Sequence, residues 1–269
     1  MLRRLLLPLA MLALLPPPAR AQPGEEVPFI TTPDNVTLAM LQLAGVGPDD
    51  RVIDLGSGDG RIVITAARRF GARGLGVEIV PDLVARSRAA AARAGVAERV
   101  EFREQDLFKT DLSAATVITM YLLPEVNLQL RPALLQLAPG TRIVSHDWDM
   151  GDWWPDETLT VDAPEKTIGL EKKSRLHRWV VPARADGLWC GPAGTQLRIS
   201  QRHQAVQALW QRGDRQWALQ GRLDGRVLRL LGTAGTPLQA RVQDERLVVE
   251  APATEAVTLA RAGGERCSP

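Results

Sequence analysis

Several features are scarce in this chain, and each scarcity removes a class of function. Only two of its 269 residues are cysteines, Cys190 and Cys267, and neither sits in a Cys-x-x-Cys or Cys/His spacing, so no zinc site is indicated. Gly-x-Ser-x-Gly and the phosphate-binding P-loop are both missing, as is any Cys/His pair, which removes the usual hydrolase signatures. Arginine is scattered rather than clustered, which argues against a groove that tracks a phosphate backbone. No internal repeat or low-complexity segment is evident. The longest apolar run, Leu5 to Leu15, spans about 11 residues and is too short to cross a bilayer comfortably.

That run has a context of its own. Arg3 and Arg4 precede it, Pro16-Pro17-Pro18 follows, and Ala19-Arg20-Ala21 closes it. This is the order of a secretory signal, with cleavage expected after Ala21 and an exported, periplasmic mature chain. A retained inner-membrane anchor through residues 5–18 is the alternative. Residues 1–21 carry three arginines and no acid, so the formal charge of +2 becomes −1 once they are removed. The basic balance of the full chain is therefore no argument for a nucleic-acid partner. In an exported protein Cys190 and Cys267 could form a disulfide. Their spacing leaves open whether they meet.

Residues 22–34, with Pro23, Pro28 and Pro33, read as an extended lead-in. Residues 35–184 alternate short apolar runs with helical stretches, the pattern of a mainly parallel sheet with crossover helices. Strands are expected at 51–55, 74–78, 99–102, 115–122 and 141–146, with an antiparallel pair at 158–161 and 175–181. Helices are expected at 36–44, 61–70, 82–94 and 124–137, the third opening after Pro81 and stopping at Gly95. Residues 185–269 lose the helical period. Six alternating runs between Gln196 and Glu250, with turn pairs Gly213-Asp214 and Asp224-Gly225, predict a small antiparallel β domain.

The chemistry centres on Asp54-Leu-Gly-Ser-Gly-Asp-Gly60. An apolar strand runs into three glycines, and a helix starts at Arg61. Such a turn lets the backbone approach a ligand at the carboxyl end of the sheet. The third glycine comes one residue too early for the G-x-G-x-x-G dinucleotide pattern. Asp54 and Asp59 would repel a pyrophosphate and tolerate a cation. S-adenosylmethionine, with its sulfonium and ammonium groups and no phosphate, fits that turn. Glu78, ending the second strand, is placed to accept bonds from ribose hydroxyls, and Asp106-Leu107 to meet the adenine.

Val52 to Gly60, Glu78 and Asp106 together resemble the class I methyltransferases, with their Rossmann-like α/β sheet and flanking helices. Three further stretches narrow the resemblance: Pro28-Phe-Ile-Thr-Thr-Pro33, Thr116-Val-Ile-Thr-Met-Tyr-Leu-Leu-Pro124 and Ser145-His-Asp-Trp-Asp-Met-Gly-Asp-Trp153. They are similar to the protein-lysine methyltransferases that include the mitochondrial enzymes acting on the c-ring protein of ATP synthase and the adenine nucleotide translocase. The resemblance covers residues 28–182 and not the C-terminal β domain. It implies transfer of a methyl group from S-adenosylmethionine to a protein lysine, including on a membrane-associated partner, with no nucleic acid involved. Thr31 and Thr32 would form a flap over the cofactor. Asp54, Gly56, Ser57, Gly58, Asp59 and Gly60 would hold its methionine part, Glu78 the ribose, and Asp106 and Leu107 the adenine. Tyr121 would line the methyl-transfer channel near Pro124, Glu125 and Asn127.

The export signal departs from the mitochondrial members and leaves the substrate open. A small-molecule methyltransferase and an exported, non-catalytic protein that kept the scaffold are the rival readings. The acidic stretch from His146 to Asp152 offers a further rival, a cation site such as calcium. It lacks the ligand series and closing glutamate of an EF-hand loop, so no metal is expected there.

Overall fold

Five short segments form the parallel core of the protein: β1 (Arg51–Leu55), β2 (Arg73–Glu78), β3 (Val100–Glu104), β4 (Val117–Met120) and β5 (Arg142–His146). Of these, β1, β4 and β5 are apolar and buried on both faces, while the edge strand β3 buries only Phe102. The computed structural model describes residues 29–267 apart from 170, 233–234, 236 and 251–255. The expected leader and its cleavage point lie outside the described residues. Strands β6 (Glu157–Asp162) and β7 (Lys173–Val180) complete the sheet, in the order β3-β2-β1-β4-β5-β7-β6. Strand β7 is antiparallel to both neighbours; its pairing with β6 is the one the sequence predicts. The chain leaves β1 toward β2 and β3, then returns to β4 on the other side. That reversal opens a crevice between the carboxyl ends of β1 and β4, where an open α/β sheet binds its ligand.

Side-chain alternation sorts the core into two layers. On one face Val52, Val117, Val144 and Leu176 pack beneath α1 (Asp34–Leu43) and α2 (Arg61–Phe70). Helix α2 buries Ile62, Val63, Ala66 and Ala67, and stops at the left-handed Gly71. Helix α3 (Pro81–Arg93) extends this layer toward β3. On the other face Ile53, Leu55, Ile118, Met120 and Ile143 meet α4 (Pro124–Leu134). No helix links β5 to β6. Segment 147–156 fills that place instead, with Met150 and Trp153 fully buried.

The C-terminal region is a closed eight-stranded antiparallel barrel, more than the six-run meander legible in the sequence. Its strands are β8 (Gly187–Cys190), β9 (Thr195–Arg202), β10 (Ala205–Arg212), β11 (Arg215–Asp224), β12 (Val227–Gly232), β13 (Pro237–Gln243), β14 (Arg246–Glu250) and β15 (Val257–Arg261). Alternate residues, among them Trp189, Leu197, Ile199, Leu228, Val242 and Leu259, fill the interior as a packed core. Gly221 lies where β11 presses against β12, and any side chain there would collide with the Arg229 carbonyl. The seam between β15 and β8 has only two paired positions, Ala260 with Cys190 and Arg261 with Trp189. Two further contacts reinforce it: the Cys190–Cys267 disulfide and the Arg261 guanidinium over the Trp189 ring, 4.2 Å from its centre.

The barrel rests on the sheet domain. The Ala183 amide donates to the Gly225 carbonyl, and Gly225 abuts Gly140. Arg222 pairs with the nearly buried Asp156, and Gln204 donates to the Trp154 carbonyl at 2.6 Å. His203 lies against Trp153, which makes the turn between β9 and β10 part of the cover over segment 147–156.

Candidate active site

The glycine turn is tightly specified. Gly56, Gly58 and Gly60 all hold positive φ, at 73°, 52° and 78°. A side chain at Gly56 would come within 2.8 Å of Leu122, and one at Gly58 would strike the Phe29 ring. The Gly56 and Ser57 amides both donate to the Val77 carbonyl, which ties the turn to β2. The Ser57 hydroxyl is buried toward Gly76, so Ser57 presents its backbone to the turn rather than its side chain.

The three acids around the turn play different parts. Asp54 is fully buried and accepts a hydrogen bond from Thr119 Oγ1 at 2.7 Å. Burial pushes its carboxyl up to about 7; the Thr119 bond opposes that shift, and the charges of Asp59 and Glu78 add to it. A cation beside Asp54 would draw its proton off. Asp59 is held by Arg61 through Nε at 2.9 Å and Nη2 at 2.6 Å. Its charge is therefore largely answered from within, and the turn's preference for a cation rests on Asp54 and Glu78. Glu78 Oε2 accepts from the Gly58 amide at 2.9 Å, while Oε1 accepts from the Ile79 and Val80 amides. The carboxylate thus braces the turn and still has lone pairs on its half-buried side.

Asp106 caps the short 3-10 turn Leu107–Lys109, accepting from the Phe108 amide at 2.9 Å. Leu107 is half-buried and packs on the main core. Thr31 is half-buried, and Thr32 is buried with its carbonyl accepting from Arg61 Nη1 at 2.9 Å. Segment 29–33 therefore crosses the glycine turn, with the Phe29 ring against Gly58. All the expected cofactor residues gather at the carboxyl edge of the sheet. Glycine surfaces a side chain would fill, a buried acid that a cation would ionise, and a second acid at the end of β2 together fit S-adenosylmethionine.

Beside the turn lies a cluster that the sequence shows only in part. Tyr121 follows β4, one residue before the Leu122 that packs on Gly56. Its hydroxyl donates to Asp147 Oδ2 at 3.4 Å, and its ring stacks on His146. Burial, reinforced by the Asp147 charge, pushes the phenol up to about 12, so it stays a hydrogen-bond donor at neutral pH. His146 is fully buried between Thr32 Oγ1, at 3.1 Å from Nδ1, and Ser174 Oγ, at 2.7 Å from Nε2. Burial pushes its imidazole down to about 4, helped by Lys166 and opposed by Asp147.

Asp147 itself has a φ of 64°, a strained setting for a non-glycine residue. Its Oδ1 accepts from the Arg175 amide at 3.0 Å, and its Oδ2 lies 2.6 Å from Lys166 Nζ. The other acids of this stretch turn elsewhere. Asp149 accepts from the Gly151 amide, and Asp152 pairs with Arg131 and Arg202. They do not converge with Asp147 on a common point. Asn127, buried on α4, donates to Ser145 Oγ at 3.1 Å and to the carbonyls of Trp148 and Asp149, which fixes the start of this segment.

The chain is similar to known proteins. The profile of the ANTKMT methyltransferase domain matches residues 54–157. A protein-lysine N-methyltransferase of Saccharolobus islandicus is 44% identical over 138 residues, covering 51% of this chain and 86% of that protein. The mouse adenine nucleotide translocase lysine N-methyltransferase is 37% identical over 48% of this chain, and the mouse ATP synthase lysine N-methyltransferase 38% over 40%. The chain spans about half the length of these two mouse relatives, 57% and 43% respectively. A crystal structure described as an RNA methyltransferase from Salinibacter ruber in complex with S-adenosyl-L-homocysteine is 52% identical. It covers 58% of this chain and 95% of its own, with a TM-score of 0.53. None of these matches spans the whole chain.

Proposed function

The chain belongs to the class I S-adenosylmethionine-dependent methyltransferases, within the protein-lysine N-methyltransferase family, and on that premise we propose that it methylates the side-chain amine of a protein lysine. The observation that carries the reading is the Tyr121–Asp147 pair beside the glycine turn. Asp147 presents a carboxylate to a basic nitrogen, and a lysine amine already rests on it at 2.6 Å.

The bound cofactor would supply an electrophilic methyl group on its sulfonium. Asp54, Glu78, Asp106 and the glycine backbone would hold it, with segment 29–33 closing over it. The protein's remaining task is to bring a neutral amine in line and exclude water, a contribution on the order of 7–11 kcal/mol when positioning is good. A free lysine amine titrates near 10.4, so it must shed a proton before it attacks. Asp147 orients the arriving ammonium and can take that proton or pass it to solvent. Tyr121, held as a phenol, narrows the channel and fixes the Asp147 oxygen.

The surroundings favour a protein partner. Leu123, Leu128 and Trp148 are exposed around the Tyr121–Asp147 pair, an apolar rim of the kind that meets a protein surface. A membrane-associated partner would suit that rim. A nucleic-acid substrate is the competing reading, suggested by the Salinibacter ruber protein. Glu125 and Asp149 near the mouth, which make no ion pair among the described residues, oppose it, because a phosphate backbone needs cations there. For the cellular setting we propose export to the periplasm with cleavage after Ala21. The Cys190–Cys267 disulfide supports an oxidising compartment. The test is mass spectrometry of cell-envelope proteins with and without the gene. Lysine-methylated peptides that vanish with the gene support the reading; an unchanged lysine profile with altered RNA methylation overturns it.

A further inference from the structure

Lysine is almost absent from this chain. Of its 33 basic residues only Lys109, Lys166, Lys172 and Lys173 are lysines. Three of those four lie together, in the connection from β6 to β7 and at the first position of β7. Among the described residues, acids are paired by arginine throughout, apart from Lys109–Asp106 and Lys166–Asp147 and the His146–Asp147 contact. Arginine would serve a structural pair at least as well, since its planar fork grips a carboxylate in two places. What lysine alone offers is an amine that can lose its proton and become a nucleophile.

Lys166 places that amine in the active site. Its Nζ sits 2.6 Å from Asp147 Oδ2 and donates to the Lys173 carbonyl at 2.7 Å. The side chain is only 12% exposed, unusually covered for a lysine. The same Asp147 oxygen accepts from Tyr121, and Tyr121 adjoins the Leu122 that packs on Gly56. The supporting connection is shaped to deliver it: the Lys166 amide donates to the Ala163 carbonyl at 2.9 Å, and the Ala163 amide to the Lys172 carbonyl at 2.7 Å.

We propose that Lys166 is a methylation site of the enzyme itself, an internal lysine carried in the seat that otherwise receives the substrate amine. The proposal rests on the lysine-transfer reading above. The step is balanced by groups already named. The Lys166 ammonium gives its proton to Asp147 or to water. The Nζ lone pair then forms an N–C bond to the methyl carbon as the C–S bond breaks, and the electron pair stays on sulfur. The products are N-methyl-lysine, still cationic, and S-adenosylhomocysteine. Each methyl replaces one N–H, so a fully methylated Lys166 could no longer donate to the Lys173 carbonyl. The connection from β6 to β7 would then be released from its latch over the site.

The test uses the full mature protein with S-adenosylmethionine carrying a deuterated methyl group, followed by peptide mass spectrometry. One to three labelled methyl groups on Lys166 are expected, with a rate per molecule that does not change on dilution. Lys166→Arg should lose that signal. Label on Lys172 or Lys173 alone, or a rate that falls with dilution, overturns the proposal. A parallel reaction contains a lysine-rich peptide. Methylation of the peptide without label on Lys166 overturns the proposal and leaves the lysine reading standing. Label on no lysine at all, in protein that binds the cofactor by calorimetry, overturns both. A second measurement needs no cofactor. With 15N-labelled lysine, the Lys166 ammonium should give a slowly exchanging NMR signal that is lost in Asp147→Asn. A Lys166 signal unchanged in that variant shows that the amine does not occupy the Asp147 seat and overturns the placement.

Discussion

The rings of Tyr121 and His146 lie face to face, 3.9 Å between centres and 27° apart, so the expected flap and the expected methyl-transfer channel meet the sheet in one stack. His146 is hydrogen-bonded to Thr32 of the flap on one side and to Ser174 of β7 on the other. Its imidazole is pushed down to about 4 by burial, below the ordinary value of 6.5. A depressed histidine contributes fully above its unfolded value and loses that contribution as pH falls through the folded one. Between pH 7 and 4 the urea midpoint of the wild type should therefore fall relative to that of His146→Gln, which has no ring to protonate; the opposing contribution of Asp54 is common to both proteins and cancels in the difference.

Asp54 gives a second pH dependence, of opposite sense. Its carboxyl is raised from 3.8 to about 7, so its stability contribution is complete at low pH and is lost as pH rises through about 7. A cationic cofactor should bind its ionised form and release a proton near neutrality. Calorimetry at pH 6, in buffers of different ionisation heat, should report proton release and weaker affinity than at pH 8. Thr119→Val removes the bond that lowers the carboxyl and should move this dependence to higher pH. Asp54→Asn should abolish the proton release.

Glu78 acts twice, bracing the Gly58 amide and facing the expected ribose. Removing a charged acceptor of this kind costs on the order of 1.5–3 kcal/mol. Glu78→Ala should weaken S-adenosylhomocysteine binding by a corresponding factor of about ten to a hundred. Glu78→Gln, which keeps one oxygen for the Gly58 amide, should lose less. Equal affinity in all three proteins would remove Glu78 from the site.

Gly58→Ala probes the flap. The new methyl would collide with Phe29 at a backbone angle that disfavours a side chain. We expect Phe29 to be displaced and segment 29–33 to become sensitive to protease, with a stability loss of about 1–2 kcal/mol. Limited proteolysis with and without S-adenosylhomocysteine checks this. Unchanged cleavage near Phe29 would show that the flap is held by Thr32 and Arg61 alone.

At the domain contact, Arg222 answers a nearly buried Asp156. Arg222→Ala should cost about 1–3 kcal/mol, because it removes the paired charge of a nearly buried carboxylate and leaves it only the Val180 amide and the Gln204 side chain as donors. The loss should be seen in the thermal unfolding of the two domains and not in cofactor affinity, since Asp156 lies away from the glycine turn.

Much of this can be read from the chain because the informative patterns are local. The run from Arg51 to Gly60 shows strand, turn and helix within ten residues, and Asp-Gly at 224–225 marks a hairpin directly. The antiparallel pair β6 and β7 is legible from alternation. What escapes depends on residues far apart. His146 reads as one member of an acidic run, because its partners Thr32 and Ser174 lie 114 and 28 positions away. Lys166 carries no signal until Asp147 is seen beside it. The barrel's closure is hidden because β8 has four residues and meets β15 at only two positions. Asp59 misleads for a related reason: its charge reads as free until Arg61, two residues on, is seen to fold back onto it.

The seam between β8 and β15 also sets an order of events. The sheet domain has its last strand once residue 180 is in place, whereas the barrel stays open until residues 257–261 can reach back to 187–190. Its closing disulfide joins positions 77 residues apart, and a loop of that size constrains an unfolded chain by roughly 4 kcal/mol in a chain-entropy description. The methyl-transfer half can therefore assemble during synthesis, and the barrel only after it. A reductant added during refolding should separate the two in time, leaving a chain with an assembled cofactor turn and an unclosed C-terminal half.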